Sequence, residues 1–195
     1  MPFGAFSSGE IDIPTWLAKH STSVVDPIVE STLKEMRGPL GCKRIGGIGY
    51  CFGGKYVCRF LREGSLDAGY TAHPSFVLSE ELGGIKGPLS IAAAGMCISL
   101  SSCLMSSTGH SLIDGDPLTC FNAEIDDIFT VPKRHESEEI LSKTGQPWQI
   151  HLYSSVSHGF AVRADPNAPR REVFAKEQAF KQAVDWFEEY LMVGS

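Results

Sequence analysis

The stretch Gly87–Ala94, GPLSIAAA, constrains the fold more than any other. As a strand it is apolar on both faces and needs cover on both sides. Such strands belong to parallel sheets, whose crossover connections lay helices over each face. The flanking patterns supply the crossovers. CKRIGGIGY gives a short apolar strand, and GGKYVCRFLREG reads as a helix with Tyr56, Val57, Phe60 and Leu61 toward the core. DAGYTAHP reads as a strand, SEELGGI as a short helix, VPKRHESEEILSKTG as an amphipathic helix and QPWQIHLYS as a strand. Before them, residues 21–37 place Val25, Ile28, Val29, Leu33 and Met36 on one helical face, ended by Gly38-Pro39. The last helix, about residues 170–192, is expected to bury Val173, Phe174, Phe180, Val184, Phe187 and Leu191. Strands alternating with helices predict an α/β fold with a mostly parallel sheet, and residues 1–195 have the length of a single domain.

In such sheets, sites gather in the loops after the carboxyl ends of the strands. Cys51 lies in one of them, within IGYCFGG. Gly49 and Gly53 stand two residues before and two after it, the spacing of a nucleophile elbow with cysteine in place of serine. The helix that follows points its N-terminus at the sulfur, which favours thiolate. The Phe52 N–H would be one oxyanion donor. The alternative is a packed core cysteine beside a glycine turn. Downstream come Asp126 and Asp127 in EIDDIF and then His158 in SVSHGF, the chain order nucleophile, acid, histidine. The alternative for His158 is an ordinary surface histidine.

Composition narrows the partners. The net charge of −6 and the lack of a basic cluster argue against nucleic acid. No apolar run approaches the roughly 20 residues that span a bilayer. The N-terminal residues lack the basic and apolar regions of a secretory signal. The six cysteines form no C-x-x-C pair and no zinc-like spacing, so free thiols in the cytoplasm are expected, with neither metal nor nucleotide cofactor. GGK at 53–55 lacks the spacing of a phosphate loop.

The segments WLAKH, GYCFGGKYV, AHPSF, GPLSIAAA, EIDDIF, PWQIHLYS and HGFAVR together resemble the dienelactone hydrolase family, especially its fungal members, from about Ile11 to the C-terminus. The resemblance implies an α/β-hydrolase-type fold and a Cys-His-Asp triad that cleaves esters or lactones of the enol-lactone kind. Cys51 matches the nucleophile, His158 the histidine of the HGF segment and Asp126 the acid, with Asp127 as the fallback. In these roles Cys51 attacks the carbonyl, His158 moves the proton and Asp126 orients the ring, with activity falling as His158 protonates. Tyr50, His73 and Arg163 are candidate pocket residues; Tyr50 and His73 read equally well as packing, and Arg163 as a surface arginine. Family members are longer at the N-terminus and carry there early strands, a glutamate near the nucleophile and the second oxyanion donor. The sheet is therefore expected to lack its N-terminal strands, exposing an edge and apolar surface. Two competing readings follow, a catalytically inactive fragment and a thiol redox sensor.

Gly95–Ala123 interrupts the join between SIAAA and EIDDIF. It holds Cys97, Cys103 and Cys120 but no lysine, arginine or glutamate, and it has no periodicity. A surface insertion is one reading. The preferred one is a retained intron. Codons 95–97 can encode a 5′ splice site, Leu118-Thr119 a branch point and Ala123-Glu124 an acceptor, and excision would restore GPLSIAAAEIDDIF in frame. The segment is expected to be irregular.

Overall fold

Among the described residues of the computed structural model, four strands lie side by side in chain order, β1-β2-β3-β4, and all pair in parallel. The structure describes residues 12–62, 65–95, 126, 128–163 and 167–192. The strands are β1 Gly46–Tyr50, β2 Ala68–Ala72, β3 Leu89–Gly95 and β4 Trp148–Ser154. The helices are α1 Ile13–Lys19, α2 Thr22–Arg37, α3 Phe52–Phe60, α4 Ser79–Gly83, α5 Val131–Ser142 and α6 Arg170–Phe187, which runs on into a π-helical turn, Glu188–Met192.

The chain divides into two compact units, Met1–Lys43 and Arg44–Ser195. In the first, the Asp12 carboxylate caps α1 by accepting from the Thr15 N–H, and α2 stops at Gly38, as its sequence predicts. Neither helix buries a residue fully, and Ile28 is exposed. The second unit carries the sheet and everything that follows.

β3 explains the layering. All seven of its residues are buried, as an apolar strand covered on both faces must be. Leu89, Ile91 and Ala93 face a core built with Val57, Cys58 and Leu61 of the α3 region, Leu82 of α4, Phe129 and Leu141 of α5. Ala92 and Ala94 point the other way, into a second core with Tyr70, Tyr153, Phe160 and three alanines of α6. Registers such as Ile48↔Tyr70 and Ile91↔Ile150 keep these faces aligned from strand to strand. On α3, Tyr56, Val57, Phe60 and Leu61 are buried as expected.

The last helix departs from expectation. Val173, Phe174, Phe180 and Val184 are exposed, Phe180 at 67%. Ala175, Ala179, Ala183 and Trp186 are buried instead, with Gln182 among them. The three alanines, four residues apart, form a flat strip, and small side chains let a helix approach a sheet closely. Gln182 fits because its polar atoms are all engaged: its amide N–H groups donate to Ser90 Oγ and to the Ile91 carbonyl, and its Oε1 accepts from the Tyr153 hydroxyl. Burial here follows shape and hydrogen bonding rather than side-chain hydrophobicity.

The expected irregular segment from 95 to 123 lies outside the described residues apart from Gly95, which is not irregular: it closes β3, pairing with Ser154 while its carbonyl accepts the Val156 N–H at 3.1 Å.

Candidate active site

Cys51 occupies the single residue between β1 and α3. Its backbone has φ +50° and ψ −117°, a conformation that costs a non-glycine residue about 1–3 kcal/mol. The surroundings hold it there. Its N–H donates to the Ala72 carbonyl at 3.2 Å, and its own carbonyl accepts from Gly54 and Ser75 at 3.0 Å each. The chain must turn back at once, so α3 starts directly over β1. A β-carbon at Gly49 would stand 2.7 Å from the Gly54 nitrogen and closer still to the Gly53 carbonyl. One at Gly54 would meet Pro74 Cβ at 2.9 Å. One at Gly53 would meet nothing. The glycines that the corner requires are therefore Gly49 and Gly54, not the symmetric pair Gly49 and Gly53 that the spacing suggests.

β4 delivers the second group. After Ser154 the chain turns through Ser155, at φ +61°, and carries His158 back over the strand ends. The His158 Nδ1 lies 3.0 Å from Asp126 Oδ2 and 3.1 Å from Oδ1. Asp126 is 3% exposed. Its Oδ1 also accepts the N–H groups of Ile128 and Phe129, at 2.9 Å each, so the carboxylate is anchored to the turn that leads into α5. Asp127 lies outside the described residues.

On its other side, His158 Nε2 lies 3.3 Å from Ser75 Oγ, and Ser75 Oγ lies 3.2 Å from Cys51 Sγ. The His158 ring, and the Phe52 N–H in the first turn of α3, both favour the charged form of the sulfur. Ser75 is the functional-site residue that the sequence reading missed. A usable signal existed. AHPSF leaves the carboxyl end of a predicted strand adjacent to the one that ends at Cys51, and every residue in such a loop is a candidate.

The charges follow from these contacts. Burial pushes the Cys51 thiol up, but the bonds from His158, Ser75 and the Phe52 N–H, with the charge of His158, outweigh it and hold the thiol below its ordinary range. Burial pulls His158 down, but Asp126 and Cys51 outweigh it and raise the imidazole to about 9. Burial likewise opposes ionisation of Asp126, and the His158 and backbone bonds reverse that and lower it. The three shifts together favour a thiolate beside an imidazolium, backed by a carboxylate.

The remaining candidates lie around this group. His73 is entirely buried, edge-on to His158 with ring centroids 4.9 Å apart. Tyr50 tilts against His73 at 6.1 Å and lines a cavity of about 400 Å³ with Tyr70, Ala161, Val173 and Phe180. The large residues of α6 that miss the core thus form part of this wall. Arg163 is exposed, and its guanidinium lies against Gly159, whose φ of +89° lets the chain pass beneath it. Among the described residues, no group of three His, Cys, Asp or Glu side chains is placed to hold a metal ion, and no helix is long and apolar enough to cross a membrane.

The model of the dienelactone hydrolase family matches residues 11–191. The chain is 46% identical over 184 residues to the hydrolase pyvD of Aspergillus violaceofuscus, covering 94% of this chain and 63% of that protein. It is 47% identical over 191 residues to the hydrolase tropI of Talaromyces stipitatus, with the same coverage of both. The chain thus spans a little under two thirds of the length of these relatives. Among solved structures it is similar to one titled m3DLH, with a TM-score of 0.53 at 18% identity, covering 92% of this chain and 69% of that one, a likeness of fold.

Proposed function

The chain belongs to the dienelactone hydrolase family, and we propose that it hydrolyses small esters or lactones, of the enol-lactone type, with Cys51 as nucleophile. The observation that carries this reading is the continuous hydrogen-bonded line from Asp126 through His158 and Ser75 to Cys51, with the sulfur at the strained corner. Cys51 is half-buried and so open to a substrate, whereas Asp126 is shielded.

The steps follow from the charges. The thiolate attacks the ester carbonyl, and a carbon–sulfur bond forms as the carbonyl π electrons move to oxygen. The Phe52 N–H is positioned to donate to that oxyanion once the sulfur no longer holds a full charge. As the tetrahedral centre collapses, the imidazolium gives its Nε2 proton to the departing oxygen, leaving a thioester and neutral His158. His158 then takes a proton from water, whose hydroxide adds to the thioester. Collapse expels the thiolate and restores the imidazolium. Enol leaving groups suit this scheme because they depart readily.

In this reading Arg163, five residues beyond His158, pairs with a carboxylate on the substrate, and the cavity lined by Tyr50, Tyr70, Val173 and Phe180, with Lys176 and Glu177, takes the remainder. We assign the protein a small-molecule substrate, a place in the cytoplasm and no nucleic-acid partner, the last supported by its net charge of −6.

The test is turnover of an activated aryl ester and of a dienelactone by the chain and by Cys51→Ala. The variant is expected to lose about a thousandfold or more in kcat. Equal turnover by the two proteins would end the thiol mechanism. Inactivity of both would support the reading as an incompetent portion of a hydrolase.

A further inference from the structure

We propose that Ser75 is a positioning residue of this site: its buried hydroxyl bridges Cys51 Sγ and His158 Nε2, holding the thiolate and imidazolium together and relaying a proton between them. The proposal rests on the reading of Cys51 as nucleophile.

The geometry is that of a short wire. Ser75 Oγ is 3.2 Å from the sulfur and 3.3 Å from the ring nitrogen. A serine hydroxyl has one proton to donate and two lone pairs to accept with. It can therefore satisfy both neighbours in two states. In the neutral state S–H donates to Oγ and O–H donates to Nε2. In the charged state Nε2–H donates to Oγ and O–H donates to the thiolate. Passing between them breaks S–H, forms a new O–H, breaks the original O–H and forms N–H, so the serine ends unchanged. Only the charged state gives two charge-assisted bonds, which are the stronger kind.

The backbone fixes the wire. The Ser75 N–H donates to the Cys51 carbonyl at 3.0 Å, tying the β2 loop to the corner that holds the nucleophile. The residues around Ser75 are sterically committed, with His73 at φ +40° and Phe76 at φ +59°. A loop held this way is set for its side chain, because free relaxation would relieve both strained residues.

Ser75 with His158 and Asp126 also has the composition of a serine triad, but Ser75 is 1% exposed and so is closed to a substrate. Its place is behind the sulfur. The other titratable groups about the pair are Asp126 behind His158, His73 edge-on to it, and Arg163 and Tyr50 near His73. Among the described residues none of these four hydrogen-bonds the sulfur, so the serine hydroxyl is the neutral group that touches both charged partners.

The test reads the thiol rather than turnover. The rate at which iodoacetamide alkylates Cys51, located by peptide mapping, is followed against pH in the full chain and in Ser75→Ala, Ser75→Gly and Ser75→Thr, each checked for folding by circular dichroism. Two hydroxyl-free variants keep the outcome independent of the folding of either one. Their midpoints are expected to rise by about one pH unit, the size of a lost hydrogen bond to a charged group, and the threonine variant is expected to stay near the parent. Unmoved midpoints in the hydroxyl-free variants, or a threonine variant displaced as far as they are, would overturn the role of the hydroxyl even if turnover fell. A parent midpoint at the value of an ordinary free cysteine would instead overturn the nucleophile reading itself.

Discussion

The imidazole of His73 stands edge-on to that of His158, centroids 4.9 Å apart and planes 65° apart, and neither of its own nitrogens has a hydrogen-bond partner among the described residues. One histidine is charged and the other is kept neutral. Burial and the positive charge of His158 press His73 down to about 3. A neutral ring can lie beside an imidazolium, whereas two charged rings at this distance would repel.

That arrangement makes His73 an acid-sensitive point. Its folded pKa of about 3 lies below the ordinary 6.5, so as the pH falls the unfolded chain takes up the proton first. The stability this contributes is complete above about 6.5 and is lost between there and about 3. In His73→Phe, urea midpoints measured across that range should fall less steeply with acid, by up to about 1.4 kcal/mol per pH unit. Parallel curves for parent and variant would show that the ring is not neutral in the folded state.

Asp126→Asn should lower kcat by about a hundredfold or more, since the amide offers no charge to the imidazolium and permits the wrong tautomer. The pH profile carries the sharper signature. In the parent, activity should fall at low pH as the thiolate takes a proton, and at high pH as His158 loses its proton near about 9. Removing the carboxylate withdraws the strongest support for that raised value. The alkaline limb should move to lower pH and the acid limb to higher pH, narrowing the bell. A variant profile as broad as that of the parent would contradict the role of Asp126.

The sheet was legible in the sequence because a both-sided apolar strand such as Leu89–Gly95 has few other places to go. Cys51, Asp126 and His158 could be picked out from their chain order, which a known chemistry requires, and Cys51 and His158 also from their places just past the ends of β1 and β4. Two things were not legible. On α6, a ranking by hydrophobicity selects Phe174 and Phe180, yet the sheet accepts Ala175, Ala179 and Ala183, because close approach depends on the partner surface and not on the helix alone. Ser75 looks like any loop serine until β2 is placed next to β1, which brings its hydroxyl to the sulfur. Both depend on contacts between residues distant in the chain, which a local pattern does not carry.

The glycines at the corner give a prediction of opposite signs. Gly49→Ala must displace backbone of α3, a cost of about 1–3 kcal/mol, and moves Cys51 with it. Gly53→Ala places a methyl in open space within α3 and should stabilise by about 0.5–1 kcal/mol through the unfolded chain. Thermal or urea unfolding of both variants checks this. Destabilisation by Gly53→Ala equal to that by Gly49→Ala would mean that the corner is tighter than the structure has it.

Deletion of Gly95–Ala123 tests the intron reading at the level of the protein. In the shortened chain Glu124 would follow Ala94 and take the position now held by Gly95, whose described backbone bond there is made by its carbonyl to the Val156 N–H. Any residue can supply a carbonyl, so β3 should keep its pairing with β4. Asp126 would then stand three residues beyond Ala94, at the carboxyl end of β3 and next to the strand whose loop carries His158. The acid is already hydrogen-bonded to His158, so the shorter connection confines it to that position with less chain to order. The shortened protein should therefore unfold at a higher temperature than the parent and hydrolyse an aryl ester at least as fast, with turnover still abolished by Cys51→Ala. A deletion variant that folds but has lost hydrolysis that the parent possesses would show that the segment belongs to the working enzyme, and the intron reading would fall.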